Sequence, residues 1–155
     1  MKPRLYFDTS VFGGVFDEEF QSDTQKLFDM AFDGQIVCIY SDLTISELEN
    51  APQLIKDYFI NLPKEVLEKV EVTEEGKNLA EKYLAEKVVG RSSFDDCLHI
   101  ATATLNKVDY LISWNFKHIV NIFRIRGYNS INIREGYQQL DIRSPKDIIG
   151  YGNEY

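Results

Sequence analysis

Short runs in which apolar side chains follow one another without alternation are separated along this chain by segments with helical spacing. Leu5-Tyr6-Phe7, "QIVCIYS" (Gln35 to Ser41) and "DYLISW" (Asp109 to Trp114) are runs of this kind. Bounded by turn residues, each reads as a strand buried on both faces. "VEVT", Val70 to Thr73, predicts a further brief strand, and "SINIRE", Ser130 to Glu135, another. The stretch after Asp8 holds a short helical turn. A helix is expected through Thr24 to Phe32, capped by Ser22 or Asp23, with Leu27, Met30 and Ala31 on one face. Others run from about Asp42 to Glu49, between Pro52 and Pro63, from Glu74 to Lys87, from about Phe94 to Asn106 after "GRSS", and from about Asn115. Strands alternating with helices at such short intervals predict an α/β domain whose mainly parallel sheet carries helices on each side.

A length of 155 residues suits one domain, 1–155. Its core is expected over about 4–135, with 136–155 an appended segment containing a candidate edge strand. With 44% hydrophobic and 13% aromatic residues the composition is globular, not disordered. No segment approaches the roughly 18 apolar residues of a membrane span, and the first apolar run is too short for a signal peptide, so a cytoplasmic protein is expected. Cys38 and Cys97 lack C-x-x-C spacing and read as buried thiols. A net charge of −8 argues against coating nucleic acid through the overall field. The stretch from Tyr110 to Arg134 nevertheless has no acid and carries Lys117, Arg124, Arg126 and Arg134.

Four polar positions stand where a site would form. Asp8 ends the first strand, Glu47 lies in the helix after the second, Asp95 and Asp96 open the helix after "GRSS", and Asn115 follows "YLIS" by two residues. Sites in parallel sheets lie at the carboxyl ends of the strands. Each position also has a structural reading. Asp8 can accept hydrogen bonds from its turn, and Thr44-x-x-Glu47 and Ser93-x-x-Asp96 resemble capping boxes. Three acids and an amide at one sheet edge, however, repel one another unless a cation neutralises them. All-oxygen ligands select Mg²⁺ or Mn²⁺ over zinc. Such ions engage phosphate oxygens and assist in-line hydrolysis at phosphorus. His99, one turn beyond Asp96, either faces this cleft or is a hydrogen-bonded core residue; His118 reads as surface, facing phosphate.

"YFDTSVF", "ISELEN" with Glu47, "DDCLHIATAT" with Asp96 and "LISWNFKHI" with Asn115 resemble, in this order, the PIN-domain ribonucleases, notably the VapC-like toxins, over about residues 4 to 135. The resemblance implies a metal-dependent endoribonuclease on a five-stranded parallel α/β/α sandwich. Asp8, Glu47 and Asp96 match the family's core acids, and Thr9 and Ser10 its small hydroxyl residues. Asp96 is chosen over Asp95 because its five-residue spacing to Ala101 matches the family's helix. Asn115 stands where members often carry Asp, so it brings an amide oxygen without charge. Lys117, Arg124 and Arg126 are expected to hold RNA phosphates, and Trp114 either stacks a base or packs in the core. Expected partners are RNA, an antitoxin protein and a second copy of the chain, whose interface or core would use Tyr58, Phe59 and Tyr83. Two alternatives stand beside this reading: a catalytically weak binding module, and a phosphatase using Asp8 as nucleophile.

Overall fold

The computed structural model describes residues 1–152. In chain order its elements are β1 (Arg4–Phe7), α1 (Thr9–Gly14), α2 (Gln21–Phe32), β2 (Val37–Ser41), α3 (Asp42–Leu48), α4 (Gln53–Ile60), β3 (Leu67–Val70), α5 (Glu74–Ala85), α6 (Phe94–Leu105), β4 (Tyr110–Ile112), α7 (Ile122–Arg134), β5 (Ile142–Arg143) and α8 (Pro145–Gly152). All five strands are parallel, in the order β3-β2-β1-β4-β5.

The uninterrupted apolar runs follow from burial of both sheet faces. Tyr6, Ile39 and Leu111 point into one core with residues of α5, α6 and α7. Their strand neighbours Leu5, Phe7, Cys38 and Ile112 point into a second core with α1 and α2, against which α4 and α8 also pack. The expected three-layer α/β/α sandwich with a five-stranded parallel sheet is therefore the observed one. Tyr83 lies in the first core and Tyr58 and Phe59 pack against the second. Cys38 and Cys97 are both buried free thiols.

Two strands are corrected. The strand expected over Val70 to Thr73 is β3, Leu67–Val70, which shares only Val70 with it: Val70 pairs with Ser41, the last residue of β2, and the Val72 N–H turns to Asp42 Oδ1. Ser130 to Glu135 is not a strand but the end of α7. Its alternating isoleucines imitate a two-residue period. The period in force is helical: Tyr128 and Ile131 are buried three residues apart, with Ile131 4% and Ile133 56% exposed. The fifth strand comes instead from Ile142–Arg143, which pairs with Leu111 and Ile112 at the sheet edge. The helix expected from Asn115 begins at Ile122, where the Asn121 side chain accepts from the N–H groups of Phe123 and Arg124. α2 begins at Gln21, ahead of its expected Ser22 or Asp23 cap. The end of the tail, residues 153–155, lies outside the described residues.

Strand β1 occupies the centre, with β2 on one side and β4 on the other. The chain winds away from it in both directions, which opens a crevice at the carboxyl ends of the neighbouring strands. Phe7 is in register with Ile112, so the residues that follow them, Asp8 and Ser113, emerge side by side.

Candidate active site

Asp8 is 4% exposed and occupies the N-cap position of α1. Its Oδ1 accepts from Ser10 Oγ at 2.5 Å and its Oδ2 from Ser113 Oγ at 2.9 Å. The same two hydroxyls accept from the next strand's exit: Ser10 Oγ from Trp114 N–H at 3.0 Å, Ser113 Oγ from Asn115 N–H at 2.9 Å. Two serines thus clip the ends of β1 and β4 together around one carboxylate. Burial pushes the Asp8 carboxyl up to about 6, with Asp96 adding to the rise and His99, Ser10 and Ser113 opposing it.

Glu47 enters from α3. Its Oε1 accepts from Thr9 Oγ1 at 2.6 Å and lies 2.5 Å from His99 Nε2. His99 is both things that the sequence left open, a buried residue and one that faces the acids. Burial raises the Glu47 carboxyl, but the His99 hydrogen bond and charge, with Thr9, bring it below its ordinary value. The capping role expected for Glu47 is absent, because the box at the start of α3 is formed by Ser41 and Thr44.

Asp96 comes from the first turn of α6, where Ser93 makes no side-chain cap bond. Its Oδ2 lies 3.4 Å from Asn115 Nδ2 and 3.3 Å from His118 Nδ1. His118 is therefore half-buried against an acid. Burial raises the Asp96 carboxyl, His118 and His99 lower it, and Glu47 raises it again. Asp95, one residue earlier, is exposed.

Asn115 is oriented by its own turn. Its Oδ1 accepts from the N–H groups of Lys117 and His118 at 3.1 and 2.9 Å, which leaves the amide N–H₂ facing Asp96. The carboxylates of Asp8, Glu47 and Asp96 are the groups that could hold a cation. Among the described residues no three such side chains converge closely enough to enclose an ion unaided. Each is held instead by hydroxyl, amide or imidazole groups.

The basic residues divide. Lys117 and Arg126 are exposed, whereas the Arg124 guanidinium donates to the Val88 carbonyl. Trp114 is buried, donating from Nε1 to Thr24 Oγ1 at 2.9 Å. Sequence reasoning passed over Ser113 and Tyr6. Ser113 had a signal, since it follows β4 as Asp8 follows β1. The bond of Tyr6 to His99 had none.

No family model and no curated protein matches this chain. Solved structures do. It superimposes on VapBC2 from Rickettsia felis bound to a DNA fragment of its promoter, with a TM-score of 0.57 at 12% identity, over 91% of this chain and 98% of that one. Against VapC20 of Mycobacterium tuberculosis, a sarcin-ricin loop cleaving toxin, the TM-score is 0.54 at 16% identity, over 72% of this chain and 92% of that one. A toxin–antitoxin complex from Klebsiella pneumoniae gives 0.53 at 16%, over 73% and 88%. At these identities the likeness is one of architecture, and the chain accordingly has the VapC-like PIN-domain fold.

Proposed function

We propose that this protein is a metal-dependent endoribonuclease that hydrolyses RNA phosphodiester bonds as the toxin of a toxin–antitoxin pair in the cytoplasm. One observation carries the reading: Asp8, Glu47 and Asp96 come from three separate elements, Asp96 feels the charge of both others, and each is pinned by donors from this chain. The VapC-like fold supports it, because one protein that shares this fold is a sarcin-ricin loop cleaving toxin.

The donor set suits a hard divalent cation. Asp8 and Asp96 sit in each other's field, Glu47 adds to the repulsion on Asp96, and burial disfavours the charge on both aspartates. Bound Mg²⁺ or Mn²⁺ would supply Lewis acidity, activating water and neutralising charge at phosphorus. The chain's own residues would do the positioning. Ser10 and Ser113 fix both oxygens of Asp8, Thr9 and His99 fix Glu47, and Asn115 and His118 fix Asp96. Lys117 and Arg126 are exposed to meet phosphates, and Arg124, with one N–H committed, adds charge beside them. An antitoxin and a second copy of the chain are the expected partners. Ile45, Leu54 and Ile60 on α3 and α4 give apolar surface to such contacts.

The test is cleavage of labelled single-stranded RNA by the purified protein with Mn²⁺, with EDTA, and by the Asp8→Asn variant. Metal-dependent cleavage that the variant loses is the expected result; cleavage undiminished in the variant removes the assignment. A second reading, a catalytically weak binding module, is favoured by Asn115, whose amide donor rather than its oxygen faces Asp96. Absence of Mn²⁺ affinity at millimolar metal would select it.

A further inference from the structure

Beside the acids the surface opens into a cavity of ≈ 350 Å³ that the carboxylate chemistry leaves unused. Ser10 and Asn115, which donate to Asp8 and Asp96, form the side nearest the acids. Phe20 and Trp114 also line it. Phe20 stacks on Trp114 with ring centroids 4.1 Å apart and planes 15° from parallel. Phe116, 49% exposed, meets Trp114 edge-on at 6.0 Å. The indole is locked by its bond to Thr24 and by Gly14, where a Cβ would lie 2.8 Å from Nε1. The aromatic wall is therefore preformed.

Charge decides which part of a nucleotide suits this cavity. Asp17 also lines it, with Oδ1 fixed by the N–H groups of Glu19 and Phe20 and Oδ2 accepting from no described residue. No lysine or arginine lines the cavity. A carboxylate repels phosphate and accepts from amino groups, while every base offers a π-face to an aromatic wall. The volume falls at the small end of the roughly 300–1,000 Å³ of ligand clefts, the size for one base.

We propose that this cavity is a nucleobase subsite. It takes one base of a single-stranded RNA next to the bond held at the acids, against the wall of Phe20 and Trp114, with an exocyclic amino group donating to Asp17. The identity of the polymer rests on the ribonuclease reading; the base site rests on the cavity.

Trp114 is the only tryptophan, so its fluorescence reports occupancy. The full-length protein is titrated with tetracytidylate, and with the same tetramer made abasic at each position in turn, in Ca²⁺ so that the acids are neutralised. Quenching, and binding about 5- to 100-fold tighter for the intact oligomer than for one of the abasic ones, are expected. Phe20→Leu, which keeps apolar bulk but removes the π-face, and Asp17→Asn should each remove most of that difference while the protein still melts as a folded chain. Equal affinity for intact and abasic oligomers, or a difference that survives both variants, overturns the inference. RNA cleavage without base discrimination would leave the ribonuclease reading standing and remove the subsite. Base discrimination without cleavage would do the reverse.

Discussion

His99 Nε2 lies 2.5 Å from Glu47 Oε1, and this contact joins the helix that carries one acid to the helix that carries another. The histidine is 2% exposed; its Nδ1 is 2.7 Å from the Tyr6 hydroxyl, itself 2.7 Å from Ser41 Oγ. With Nε2–H donating to the carboxylate, Nδ1 on the far side of the ring closes the series with the Tyr6 hydroxyl. The bonded series therefore runs from the end of β2, through the central strand, to α6 and α3. His99 stands one helical turn from Asp96, so α6 presents one acid and holds the other in place.

Breaking that series at the histidine should cost more than breaking it at the tyrosine. His99→Ala leaves Tyr6 and Glu47 each short of a partner and should lower stability by about 1–3 kcal/mol. Tyr6→Phe keeps the ring in the core and should cost roughly 0.5–1.5 kcal/mol. The double variant should lose less than the sum, because both changes remove the same bond. Urea unfolding of the four proteins tests this, and strict additivity would show that the two groups are not coupled.

The buried Asp8 carboxyl gives a pH signature in metal-free protein. Its folded value, about 6, stands above its ordinary 3.8, so between these values the folded state binds more protons than the unfolded one. Stability from this group is full at the acid end, falls as pH rises through about 6, and is level beyond. Asp8→Asn removes that loss. At pH 7 it should be more stable than wild type by about 3 kcal/mol at most, an advantage that shrinks towards pH 4. Melting curves of both proteins in EDTA across this range check the sign. Mn²⁺ should raise the wild-type melting temperature and leave the variant's nearly unchanged.

The legible and illegible parts of this chain separate on physical grounds. β1, β2 and β4 could be read because two cores demand apolar side chains on both faces, as Tyr6 and Phe7 show by pointing opposite ways. β5 could be read only as a candidate edge strand somewhere in 136–155, since two residues carry no period and pairing with Leu111 and Ile112 is what places it. Ile131 and Ile133 misled because alternating isoleucines fit a strand as well as they fit a helix with one residue outward. The places of Asp8 after a strand, of Glu47 in the helix after β2 and of Asp96 in the first turn of α6 were legible. The His99–Glu47 contact and the turn that directs the Asn115 amide arise only from packing, which spacing does not encode.

Asn115→Asp should trade stability for cation affinity. One new oxygen can still accept from the Lys117 and His118 N–H groups, but the other replaces an amide nitrogen 3.4 Å from Asp96 Oδ2. Attraction becomes like-charge repulsion, which should cost on the order of 2 kcal/mol without metal. A bound divalent ion should reverse it, with Mn²⁺ binding roughly tenfold tighter than to wild type, or about 1.4 kcal/mol. Calorimetric titration of both proteins measures this. Equal affinities would place Asn115 outside the cation's reach.

Removing everything after Glu135 tests whether the tail completes the sheet. Leu140 and Ile142 are buried, and Asn129 ties this segment to α7 by two bonds, from Nδ2 to the Leu140 carbonyl at 2.9 Å and from the Leu140 N–H to Oδ1 at 2.7 Å. Two fully buried aliphatic side chains are worth about 3–6 kcal/mol together. That is a large share of the roughly 5–15 kcal/mol that holds a domain. The deletion also removes the carbonyls of Asp141 and Arg143 that accept from the N–H groups of Leu111 and Ser113. Ser113 is the residue that clips Asp8, so the damage should reach the acids. The shortened chain is expected to lose its cooperative urea transition, or to unfold at a much lower midpoint, with fast amide exchange at Ser113. A transition at the full-length midpoint would show that the folding unit ends at residue 135 and that β5 and α8 are appended to it.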